Sequence, residues 1–159
     1  RRWRATTDGR TQRRTAAVRG ASVTSESVAA LQSHIESAEE AYEFLISFAG
    51  RGLDRNQPAG TSNEVQDYLE QLASAMVDGH EAALAVADEH DLDGEAHYRS
   101  ALSTMSGEIE EARTIVSLLA AQDVVTSAQV DNMNGMAVFQ SVMMKFFFLD
   151  ELTAHLLEE

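Results

Sequence analysis

The sequence predicts an all-α chain: an antiparallel up-down-up-down four-helix bundle carrying a disordered basic N-terminal segment. Three observations predict it. Apolar residues recur at alternating spacings of three and four from about residue 24 onward, the signature of one buried helical stripe. Proline occurs once, at Pro58, whereas strands and their turns use it more often. Four such runs follow one another, and two of the connections are short enough to force neighbouring helices antiparallel. The 159 residues fit one domain with a real core.

The first helix is expected over about 24–50, after an N-cap at Thr24 or Ser25. Val28, Leu31, Ile35, Ala38, Tyr42, Leu45 and Ala49 form its stripe, and Gly50 and Gly52 end it. A polar connection holding Pro58 follows. The second helix, about 62–90, opens on the capping box Thr61-Ser62-Asn63-Glu64. Its Ala-rich stripe permits close helix approach. It stops at His90-Asp91-Leu92-Asp93-Gly94, where Asp93 is placed to cap the next helix.

The third helix, about 94–121, has the cleanest heptad: Leu102, Met105, Ile109, Ala112, Val116 and Leu119. A second capping box, Thr126-Ser127-Ala128-Gln129, opens a fourth helix expected to run unbroken over about 127–157. Apolar residues nearly encircle this last run. Gly79, Gly107 and Gly135 fall inside helices, where each costs about 1 kcal/mol relative to Ala. Close backbone crossing is the favoured reason, with a local bulge or groove as the sharper one.

Charge divides the chain. Residues 1–22 hold seven Arg and one Asp, a net +6, while residues 23–159 hold five bases against 25 acids, a net −20. The body therefore repels nucleic acid and anionic lipid. The head reads as a disordered arm for an acidic partner, RNA or a membrane surface, or as a non-native leader preceding a start at Val23. Cysteine is absent, which excludes disulfides, zinc ribbons and thiolate catalysis and fits a cytoplasmic location. No membrane span is expected, because the apolar stretch Met136 to Leu149 is interrupted by Gln140, Ser141 and Lys145.

A helical bundle raises the question of a metal centre. Di-iron bundles place Glu-x-x-His on two helices so that both ligands face inward. The residues three before His34, His80, His90, His97 and His155 are Leu31, Val77, Ala87, Gly94 and Leu152, so the motif fails at every histidine. Asp91-Leu92-Asp93-Gly94-Glu95 is similar to the start of an EF-hand loop, yet its twelfth position is Leu102. No phosphate loop, nucleophile elbow or grouped triad is present.

These readings favour a protein without enzymatic activity or cofactor. The leading expectation is an acidic interaction protein that forms a homodimer, or docks into a larger assembly, through the fourth helix. Met136, Phe139, Met143, Phe146 and Phe147 are its expected interface, because that helix carries more apolar surface than one seam needs. The alternative is a bundle holding a transition metal, zinc or iron, at a non-standard site built from His34, His80, Glu151 and His155. Similarity to ferritin-like bundles is one of architecture alone. A third reading is a small-ligand sensor between helices.

Overall fold

A computed structural model describes residues 9–54, 56 and 61–157, with side chains from residue 26 onward except at 61 and 62. Among the described residues the chain is all-helical, with no strand. Five α-helices pack together: α1 Gly9–Ala49, α2 Thr61–Glu89, α3 Glu95–Ala120, α4 Ser127–Asn134 and α5 Ala137–Thr153. A 3-10 turn, Ala154–Leu157, closes the described chain.

Two boundaries differ from expectation. Helical backbone begins at Gly9, so Thr24 and Ser25 lie within α1 and neither starts it. The basic segment expected to be disordered is helical over residues 9–22, and residues 1–8 lie outside the described residues. The fourth run is not one helix. Gly135 is the C-cap of α4, and Met136 adopts an extended conformation (φ −74°, ψ 131°) as the N-cap of α5. Glycine's low helix propensity lets the chain break there, and the break redirects the longest apolar segment.

The core is assembled from the predicted stripes. Val28, Leu31, Ile35, Ala38 and Leu45 are buried from α1, Leu69, Leu72 and Met76 from α2, and Leu102, Met105, Ile109, Ala112 and Val116 from α3. α1 packs against α2, α4, α5 and the terminal 3-10 turn, α2 against α3, and α3 against α5. Along the α1–α2 seam, Phe44 stacks on Tyr68 with ring centroids 3.9 Å apart. Gln71 donates to the Ser37 carbonyl at 3.1 Å. Gly79 sits beside His34 and the Phe146 ring, and a Cβ there would meet the ring at 3.1 Å. This glycine makes room for an aromatic side chain, where a close backbone crossing was expected. Gly107 faces open space, so the same account does not extend to it.

The capping box at Thr126 forms as predicted: its side chain accepts from the Gln129 amide, and the Gln129 side chain accepts from the Thr126 amide. The box at Thr61 rests on a side chain outside the described residues. Ser127 does more than the motif foretells. Its buried hydroxyl donates to the Phe48 carbonyl at 2.7 Å and accepts from the Leu53 amide at 3.0 Å. It thereby ties the end of α1 to the start of α4. Gln66 of α2 covers the end of α3, donating to the Ala120 and Gln122 carbonyls.

Candidate ligand cleft and outer face of α5

The α2–α3 turn sets the first wall of the candidate site. Gly94, not Asp93, caps α3. It holds φ +75° with no side-chain cap hydrogen bond, a conformation that favours glycine. The Asp93 carboxylate is thereby left free of the cap and stands exposed. Arg99 pins the turn from the other side, with ion pairs to Asp88 at 2.9 Å and Glu95 at 2.7 Å and a bond to the Ala87 carbonyl at 2.7 Å. The hydrogen bonds to Glu95 and then Asp88 raise the Arg99 pKa above its ordinary value.

Between this turn and α5 lies a cleft of about 300 Å³. Its walls are mostly apolar: Tyr98, Ala101 and Met105 from α3, Phe148, Leu149 and Leu152 from α5. Asp93, His97 and Lys145 stand at its edge. Lys145 is ion-paired with Glu108, which also accepts from Ser141 at 3.1 Å. A second cavity of about 270 Å³ adjoins it, where Asp91, Thr153 and His155 add polar groups. Asp93, Tyr98 and Leu152 line both cavities and so form the partition between them.

Tyr98 is the unusual member. It is only 8% exposed, and its hydroxyl is buried without a hydrogen-bond partner among the described residues. Burial pushes its pKa up to about 12, so the phenol stays neutral over the physiological range. A buried hydroxyl with no partner is an exception among native side chains.

The expected interface divides. Phe139, Met143 and Phe146 are buried in the chain's own core, which corrects their assignment as docking anchors. They face α1, α2 and α3 because α5 places them on the side opposite the solvent. Met136 and Phe147 are exposed, at 41% and 38%. Their neighbours missed by the sequence reading are more exposed still: Met144 at 66%, Phe148 at 63% and Leu152 at 44%. At 3.6 residues per turn, Phe147, Met144, Phe148 and Leu152 span an arc of about 140° opposite the buried side. Helix α5 is therefore apolar on both sides.

The four residues of the metal alternative are not gathered into one group. The His80 ring donates from Nε2 to the Leu102 carbonyl at 2.9 Å. His34 lies half-buried beside Gly79. Glu151 is exposed on α5, and His155 lines the second cavity. Among the described residues no three His, Asp or Glu side chains form a set that could hold a metal ion. Their sequence spacing set the axial level but not the direction each side chain takes around its helix.

Tyr98 was legible in principle. It stands one heptad step before Leu102, so the α3 stripe extends back to a residue with a polar tip. Among the described residues, no helix is long and apolar enough to cross a membrane. No protein family, curated protein or solved structure matches this chain.

Proposed function

We propose that this chain is a non-enzymatic helical assembly protein, and that a second copy docks on the outer face of α5. The observation that carries the reading is the exposure of Met144, Phe147 and Phe148 on one side of a helix whose other side already fills the core. Contiguous apolar surface of this kind is what protein interfaces use, and a patch that meets its own copy closes a two-fold dimer. Charge adds to it. The +6 head of one copy complements the −20 body of another.

In the same reading the fold is an antiparallel four-armed bundle in which α4 and α5 together make a broken fourth arm. Contacts that run in opposite directions support this. Along α1 and α2 they pass from Phe44 with Tyr68 to Ser37 with Gln71 and then His34 with Gly79. Along α3 and α5, Glu108 meets Ser141 and Lys145, while Tyr98 shares its cavity with Leu152 and Thr153.

Light scattering coupled to gel filtration tests the assembly at micromolar concentration. The wild-type chain is expected to run as a dimer. The Met144→Glu, Phe147→Glu double variant is expected to run as a monomer with unchanged helicity, since both side chains are exposed, and with a melting temperature that no longer depends on protein concentration. A wild-type monomer throughout that range, or a double variant that remains dimeric, overturns the reading.

A further inference from the structure

The paired cavities at the α3–α5 seam share Phe148 and Leu152 with the docking face but lie largely to one side of it. Met144 and Phe147 line neither of them. We propose that the two cavities are halves of one binding cleft for a small hydrophobic ammonium compound. Its aromatic or alicyclic body would lie against Met105, Phe148 and Leu149. Its N–H groups would point to the Tyr98 oxygen and the Asp93 carboxylate.

Three observations carry this. The first is the unpartnered, buried hydroxyl of Tyr98, a residue that lines both cavities. Its lone pairs accept from an ammonium, and the ring faces of Tyr98 and Phe148 add cation–π attraction. The second is charge. Asp91 and Asp93 line the polar half and make no ion pair among the described residues. Lys145, in the apolar half, is already paired with Glu108. The field in the cleft thus favours a cation and opposes a carboxylate, in keeping with a chain of net charge −14.

The third is the partition itself. Leu152 is 44% exposed, so its side chain is free to rotate on the fast timescale of surface rotamers. On this proposal that rotation joins the cavities and uncovers the Tyr98 hydroxyl. The joined space enters the 300–1,000 Å³ range typical of small-molecule sites, roughly.

The test compares three probes of one shape by calorimetry at low salt: 1-naphthylmethylamine, 1-naphthalenemethanol and 1-naphthoate. The amine is expected to bind one-to-one and tightest, the alcohol more weakly, the carboxylate weakest. Tyr98→Phe, which removes only the hydroxyl, should weaken the amine about fivefold, the loss of one hydrogen bond. Asp93→Asn should erase the preference for amine over alcohol, although it alters a net charge of −14 by only one. Ala101→Trp should abolish binding of all three, because this exposed position lets the new ring fill the apolar half without entering the core.

Equal binding of amine and alcohol overturns the proposal, as does amine binding that ignores both Tyr98→Phe and Ala101→Trp. So does the lack of saturable one-to-one binding. Repeating the titration on the Met144→Glu, Phe147→Glu variant keeps this result separate from the assembly reading. Neither side chain lines the cleft, and the variant leaves Phe148, the residue shared by cleft and docking face, uncovered, so either proposal can fail alone.

Discussion

The α1–α2 seam and the α3–α5 seam join helices of the same bundle by different means. At the first, small residues let the backbones approach: Ala38, Ala41, Ala75 and Ala83 are buried, and Gly79 admits the Phe146 ring against the helix itself. Gln71 bridges the seam with hydrogen bonds to Ser37 and Glu40. At the second, Tyr98 keeps a buried hydroxyl unpaired, an ion pair replaces apolar contact at Lys145, and two cavities remain. Close-packed interiors leave few voids larger than a water molecule. The contrast teaches that the first seam is where stability is held, and the second is where the chain has room for a ligand.

The largest effect should come from Phe146, which reaches the first seam from α5. Phe146→Ala removes a fully buried ring and should cost about 3–5 kcal/mol in guanidinium unfolding. A cost below about 1 kcal/mol would mean that the first seam is as loose as the second, and the comparison would break.

The next effect belongs to the second seam and depends on pH. Tyr98 titrates at about 12 in the folded chain against an unfolded value near 10. The raised value means that the unfolded chain loses its proton first. Stability from the neutral phenol is thus fully present below pH 10 and falls as pH rises through 12, by at most about 1.4 kcal/mol per pH unit. Urea unfolding between pH 9 and 12 should show that slope in the wild type and a shallower one in Tyr98→Phe. Identical slopes would mean that the hydroxyl is not closed off at the cavity boundary.

Gly79→Ala comes third. Alanine gains about 1 kcal/mol in helix propensity, but its Cβ meets the Phe146 ring at 3.1 Å. With that ring buried on all sides, overpacking should win and the variant should lose about 1 kcal/mol net. A more stable variant would show that the ring can shift, and that the seam tolerates a methyl group. The smallest effect is expected at the surface of the second seam. Lys145→Met breaks a half-exposed ion pair with Glu108 and should change the melting free energy by less than about 1 kcal/mol in either direction.

Much of this was open to a reader of the sequence. Alternating spacings of three and four placed the buried stripes of α1, α2 and α3, because one helical face must repeat on that period whatever the packing. The Thr126 box was legible for a similar reason: its bonds close within four residues. The break at Gly135 was harder, since a glycine inside an apolar run is compatible with a continuous helix. Only the packing of α5 against α1 and α3 selects the break.

The apolar excess of the last run was visible in its composition, but its division was not. Phe139, Met143 and Phe146 went to the core while Met144, Phe147 and Phe148 went to the surface. That choice depends on how α5 is rotated about its axis, and a helix apolar all round gives no face from which to read the rotation. The histidines failed as a group on the same ground, since equal height along a bundle does not make side chains converge. Local periodicity and local hydrogen bonds are written in the sequence because they involve residues close along the chain. The Tyr98 hydroxyl, the paired cavities and the outer face of α5 were decided by tertiary structure, because each depends on contacts between helices far apart in it.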